Sequence, residues 1–223
     1  FVNQLRDRDV RHQIMEHFYR NSRLQQYALN LQGGSAKHAW YASAGYDQNL
    51  SDRVGIGNDR LSFTTRHNFK PIKNLEIEGL LVYTQSRSES DNTLDLMRMG
   101  NRNLYPYASF INSEGKPIPI ITDYRLSFVS QAPSRGFINW EFSPLEELRR
   151  TENQNRLSNL RGATGIRYKL FKGLDIDLKY QFESQTGRTR ILHPENSYFA
   201  RDMVNRFSIL QNDRVAGYNI PPG

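Results

Sequence analysis

The 223-residue chain carries 30 Lys and Arg against 23 Asp and Glu, a net charge of +7, and it has no cysteine. The lack of cysteine excludes a disulfide framework and thiolate chemistry, and no run comes near the roughly 18 apolar residues of a membrane helix. A mean hydropathy of -0.71 excludes less than it suggests, because in a membrane β-barrel only about half of each strand faces lipid and the loops are polar.

Residues 1–23 read as a loop with room for a short helix around Arg11 to Tyr19. Alternation then begins. Successive side chains of a strand point to opposite faces, and Tyr27, Leu29 and Leu31, then Trp40, Ala42, Ala44 and Tyr46, keep single parities around Gly33, Gly34 and Ser35. This predicts a hairpin over 24–48, with the glycines supplying the positive φ of a tight turn. A second hairpin is predicted over 59–88. Leu61, Phe63, Thr65, His67 and Phe69 alternate with Ser62, Thr64, Arg66 and Asn68; Leu75, Ile77, Gly79, Leu81 and Tyr83 alternate with Glu76, Glu78 and Thr84, although Leu80 and Val82 interrupt the polar parity. The connection from Lys70 to Lys73 holds Pro71, which cannot donate to a ladder and so is expected in the turn.

The stretch 89–155 is far longer than a hairpin needs, and loops beyond about 15 residues are usually functional. It holds Tyr105, Tyr107, Tyr124 and Trp140, and a helix start at Ser143-Pro144-Leu145-Glu146, where Ser would cap, Pro fill the first turn and Glu reach back. A third hairpin is predicted over 156–190. Leu160, Gly162, Thr164, Ile166, Tyr168 and Leu170 share one parity, the turn falls at Phe171 to Gly173, and Leu174, Ile176, Leu178, Tyr180 and Phe182 then alternate with Asp175, Asp177, Lys179, Gln181 and Glu183. Residues 191–223 read as another loop with mixed aromatic residues and Arg.

The fold class is therefore all-β, with about six antiparallel strands. A soluble sandwich would alternate too, but three features point to a fragment of a large transmembrane β-barrel. The predicted strands run roughly 10 to 16 residues, against about 5 to 6 in soluble sheets and about 9 to 11 in tilted membrane strands. Phe69, Tyr168, Tyr27, Tyr46, Tyr83 and Phe182 sit toward strand ends on the apolar parity, as interfacial aromatic girdles require. The other parity carries full charges, which suits a solvated lumen better than a packed core. Short turns would then face the periplasm and the loops 1–23, 89–155 and 191–223 the outside. Six strands cannot close a transmembrane barrel, so the rest of the wall is expected elsewhere in a longer protein, and the chain is expected to be an internal fragment.

Several stretches, taken in order, resemble a known family. Gln32-Gly33-Gly34-Ser35 with Trp40-Tyr41-Ala42-Ser43-Ala44-Gly45-Tyr46, then Tyr105-Pro106-Tyr107, Trp140 and Ser143-Pro144-Leu145-Glu146-Glu147-Leu148, resemble the SusC/RagA-like TonB-dependent outer-membrane transporters of Bacteroidetes. Gly173-Leu174, Ser197-Tyr198, Arg201-Asp202, Asn205-Arg206-Phe207 and Ile220-Pro221-Pro222-Gly223 extend the resemblance over nearly the whole chain. It implies a barrel of about 22 strands, plugged by an N-terminal domain and set in the outer membrane of a Gram-negative bacterium. Such transporters import glycans or peptides with force from TonB, under a SusD-like surface lipoprotein that acts as a lid. The plug, the TonB box and the carboxy-terminal strand would all lie outside this chain.

No catalytic constellation is expected. His12, His17, His38, His67 and His193 never take metal-ligand spacing. Glu76 with Glu78, and Asp175 with Asp177, share faces at i and i+2, as a paired-carboxylate site would, but hydration and salt bridges with Arg66, Arg161 and Lys179 are the simpler expectation. No cofactor and no metal are expected, and charges spread along the chain rather than gathered in a stripe argue against a nucleic-acid partner. Glycans and peptides stack on aromatic faces, so Tyr105, Tyr107, Tyr124 and Trp140 are candidate contacts for substrate or lid, packing of the loop itself being the plainer role. Arg201 reads equally well as an internal loop brace beside Asp202 and Asn205. A passive porin or structural surface barrel, and a soluble β-rich binding module, are the alternatives.

Overall fold

The β-branched and aromatic residues of the alternating stretches pair into one antiparallel sheet in which each strand neighbours the next in sequence. The computed structural model describes residues 9–90, 104–148, 150 and 152–220. A helix, α1 (Val10–Phe18), precedes strands β1 (Arg23–Gly34), β2 (His38–Leu50), β3 (Gly57–Ile72) and β4 (Leu75–Ser90). Short helices α2 (Leu126–Gln131) and α3 (Pro144–Glu147) follow, then β5 (Glu152–Phe171), β6 (Leu174–Leu192), helix α4 (Tyr198–Arg206) and the hairpin β7 (Ser208–Gln211) and β8 (Arg214–Tyr218). The six-stranded sheet runs β1 to β6 in order and is open, with β1 and β6 at its edges.

Register decides whether six amphipathic strands make one amphipathic sheet, because a slip of one residue would turn a strand's apolar set to the other face. Here every strand agrees. Leu29, Ala44, Phe63, Tyr83 and Leu160 stand directly across from one another, as do Leu31, Ala42, Thr65, Leu81, Gly162 and Phe182. The apolar parities read from the sequence thus merge into one continuous face. Its margin toward the long loops cuts across the rows: Tyr27, Tyr46 and Leu61 end it in one row, Tyr83 and Leu160 one row lower, and Phe182 a row lower again.

The turns differ in detail from the expectations. Gly33 and Gly34 lie inside β1 without positive φ, and the first turn is Ser35-Ala36-Lys37. These glycines serve close approach instead: a Cβ on Gly34 would meet the His38 carbonyl oxygen at 2.7 Å, and the Trp40 ring lies 3.0 Å from a Cβ on Gly33. Pro71 sits in a register shift between Phe69 and Ile72 rather than in the turn itself, a bulge position that tolerates its missing N–H. Positive φ falls on other turn glycines instead, among them Gly173 between β5 and β6, with φ of 102°. The first two hairpins are separated by no long loop. β2 and β3 are joined by only 51–56, where the Arg20 guanidinium donates to the carbonyls of Ser51 and Ile56, both at 2.9 Å.

Among the described residues, no side chain of β1–β6 is buried. The core lies at the long-loop end, in a cap assembled from three segments distant in sequence, with Val10 and Phe18 from α1, Ala108 to Phe142 from the long loop and Tyr198 from α4. Phe18 meets Phe110 edge-on at 5.6 Å and Phe142 meets Tyr198 at 5.0 Å. Each such side chain, fully buried, contributes about 1.5 to 3 kcal/mol. Among the described residues no helix is long and apolar enough to cross a membrane.

Candidate functional site

The four candidate aromatic residues divide into two pairs. Tyr105 and Tyr107 are about half exposed and flank Pro106, whose carbonyl accepts the Val10 N–H at 3.0 Å at the start of α1. That bond fixes the turn on which both phenols are displayed. Trp140, by contrast, is 5% exposed, and its ring packs against Tyr124 at 4.6 Å, Phe137 at 5.2 Å and Phe128 at 5.6 Å. Its indole N–H donates to Asp202 at 2.9 Å. Burial first, then the neighbouring Asp202 carboxylate, pushes the Tyr124 phenol up. Tyr124 and Trp140 therefore pack the loop core, and the pair open to an incoming molecule is Tyr105 and Tyr107.

What holds the cap rigid is a buried polar network that the sequence displays only in part. Glu147, 1% exposed, accepts the Tyr198 N–H at 2.8 Å and lies 3.3 Å from Arg150 and 3.6 Å from Arg201. Arg201 is itself buried and donates to the carbonyls of Asn139 at 2.7 Å and Asn196 at 3.1 Å, so it is a loop brace. Burial lowers its guanidinium from the ordinary value while Glu147 acts in the opposite sense. Asn205 closes the network by pairing in both directions with the backbone of Ile138, at 2.9 Å each way. The expected capping box is absent: Ser143 makes no side-chain cap bond and Glu146 pairs with Arg150 at 2.9 Å, leaving Glu147 as the inward carboxylate. Nothing in the local sequence distinguishes Glu147 from Glu146. Only the position of α4, some fifty residues on, does so.

The polar face of the sheet carries the second element. Lys70, Glu76, Arg167, Asp177 and Lys179 form a chain of ion pairs from 3.1 to 3.8 Å across four strands, and Asn68 donates to Glu76 at 2.7 Å. Arg167 takes the bridging place expected of Arg66 and Arg161, because register sets it between Glu76 and Asp177. With Glu76 and Asp177 both tied to cations, neither is poised as an acid–base pair. Beside this chain, Ala163 and Gly165 leave a groove of about 530 Å³ whose lining includes Arg66, Asn68, Glu78, Lys179 and Gln181. It offers donors and acceptors of both signs to a polar solute.

On the apolar face, register brings together two histidines that the sequence keeps far apart. His38 and His67 stack at 5.4 Å, with His38 Nε2 3.2 Å from His67 Nδ1. His67 Nε2 lies 3.0 Å from the Thr65 hydroxyl, which donates to the Tyr41 carbonyl at 3.2 Å. The chain of bonds closes with Nε2 of each ring as a donor and His67 Nδ1 as an acceptor. No group of three or more His, Asp or Glu side chains able to hold a metal occurs among the described residues. Compared with known proteins, the chain matches no family model and no curated protein.

Proposed function

We propose that the chain is part of the wall and outer loops of an outer-membrane active importer similar to the SusC/RagA-like transporters, taking up oligosaccharides or peptides with TonB-derived energy beneath a SusD-like lipoprotein lid. The observation that carries this reading is the uncovered apolar face. Leu178 and Tyr180 are 64% and 66% exposed, a degree of contiguous apolar exposure that soluble monomers avoid. The apolar stretches 61–69, 75–83, 160–170 and 174–182 have the length of about 9 to 11 residues that a tilted membrane strand needs.

The oblique margin supports the same reading. It drops two rows, about four residues, over the steps from β1 to β6. At roughly 3.3 Å per residue and 4.8 Å per strand this is a slant of about 30°, near the roughly 35–45° tilt of barrel strands. A membrane plane meeting tilted strands would draw such a line, while a covering protein layer has no reason to. The polar face then lines the passage, with its groove and ion pairs, and Tyr105 and Tyr107 stand at the entrance.

Environment-sensitive labels at positions 178 and 179 of the full-length protein test the proposal. A label at position 178 is expected to be quenched by lipid-borne quenchers and one at 179 by aqueous quenchers. Aqueous quenching at both positions would return the chain to the soluble binding modules. A passive porin is separated by the upstream sequence, where a plug domain of about 100 or more residues is expected.

A further inference from the structure

We propose that Arg87, Arg156 and Arg188 form a seat, on the outer surface of the wall, for the phosphorylated headgroup of an outer-leaflet lipid. This rests on the membrane reading above. Register sets the three arginines directly across from one another on β4, β5 and β6, in the row that continues from Asp59 on β3. Their parity is that of Tyr83, Leu160 and Phe182, so they stand on the same face as the apolar band, four residues beyond its margin at Tyr83 and Leu160 and six beyond it at Phe182. Like charges directly opposite in a sheet, with Cβ atoms about 4.5 to 5.5 Å apart, destabilise it.

Among the described residues, an ion pair relieves one member of the row. Arg87 pairs with Glu89 at 2.7 Å, yet its Nε is shut off from solvent with no hydrogen-bond partner. Arg156 and Arg188 are exposed and enter no ion pair among the described residues. Arg190 adds a further cation on the same parity one row beyond. Planar guanidinium groups in a row match phosphate oxygens bidentately, and a phosphate would turn mutual repulsion into shared attraction. The source is a lipid because the seat stands on the same face as the apolar band, above it on the long-loop side across Gln85, Ser158, Ser184 and Thr186. Acyl chains hung from it would lie along Tyr83, Leu160 and Phe182, which a free anion would leave bare.

The test uses the full-length protein in nanodiscs of neutral phosphatidylcholine, with a trace of fluorescent diphosphorylated glycolipid or of the same glycolipid without phosphate. Wild type is expected to prefer the phosphorylated lipid, and Arg156→Gln with Arg188→Gln to lose about tenfold of that preference per arginine. Arg156→Lys with Arg188→Lys keeps the charge without the fork and is expected to fall between, which preserves the test where the glutamine variant fails to assemble. Excess inorganic phosphate is expected not to displace the lipid. Equal retention of the two lipids by wild type, unchanged preference in the variants, or displacement by inorganic phosphate overturns the seat. A label at position 178 is read in the same discs: if it lies in hydrocarbon while the lipids are not discriminated, the seat alone falls; if it lies in water, the membrane reading falls with it.

Discussion

In the sheet, Leu178 and Tyr180 are 64% and 66% exposed, whereas in the cap Phe110 and Phe18 are 0% and 1% exposed. Both regions use large apolar side chains, yet only the cap buries them against its own chain. The cap is held by a dry aromatic cluster and a network around Glu147 and Arg201; the sheet is held by its ladders and needs an outside medium for its apolar face. The two regions should therefore fail independently, and each should fail by its own mechanism.

The largest effect expected from a single change is in the cap. Glu147→Ala removes the acceptor of the Tyr198 N–H and the counter-charge of Arg150 and Arg201, and breaking a buried pair by deleting one partner costs about 3 to 5 kcal/mol. Limited proteolysis of the full-length protein should cut within 104–148 or 193–220 in the variant and spare the strands. If the strands were cut together with the loops, the separation of sheet and cap would be wrong.

How far the sequence foretold each region follows the same division. Sheet pattern is local: the parity of Leu174, Ile176 and Leu178 needs no knowledge of neighbours, so the strands, their apolar faces and the short turn at Gly173 were legible. Register is not local, and so the His38 and His67 contact and the place of Arg167 between Glu76 and Asp177 stayed hidden. The cap was least legible, because its core joins α1, the long loop and α4 across more than a hundred residues. Trp140 could be singled out as a large aromatic in a functional-length loop, but its burial depends on Phe128, Phe137 and Tyr124 folding over it. Helix α4 and the β7–β8 hairpin gave no signal strong enough to separate them from loop.

A second substitution sharpens the contrast from the side of the sheet. Leu178→Arg places a charge in the middle of the apolar stretch of β6, at a cost of about 2 to 4 kcal/mol at a bilayer midplane. Gln181→Arg, on the polar face, is expected to cost little. Under the proposed membrane function, outer-membrane yield of the heat-modifiable folded form should fall for the first variant only. Equal tolerance of both would mean that the apolar face does not meet hydrocarbon.

A smaller effect is expected at the displayed pair. Replacing Tyr105 and Tyr107 by Ala removes no core contact, so stability should stay within about 0.5 kcal/mol, while under the proposed importer function each lost aromatic stacking contact should weaken binding of an oligosaccharide or peptide by about 0.5 to 1.5 kcal/mol. Titration calorimetry against Trp140→Phe separates the roles. That change deletes the bond to Asp202 inside the core and should alter thermal stability of the cap with little direct effect on affinity.

The smallest effect lies where the cap begins. The Asp9 carboxylate caps α1 by accepting the Arg11 N–H at 2.9 Å and also takes the Arg11 guanidinium at 2.7 Å, and these bonds to Arg11 hold its pKa down to about 2 against 3.8. A carboxylate whose folded-state pKa is depressed adds stability that is complete above the unfolded value and is lost as pH falls toward the folded one. Hydrogen exchange at the α1 amides should therefore be level from neutral pH to about 4, once corrected for intrinsic rates, and rise between about 4 and 2. Asp9→Asn keeps a capping oxygen but has nothing to titrate, so its profile should be flat through that window. Added salt should blunt the wild-type change, because the pair is exposed and screened. The strands, which pair far from Asp9, should show no change in exchange over the same range, and a parallel rise there would tie sheet and cap into one cooperative unit.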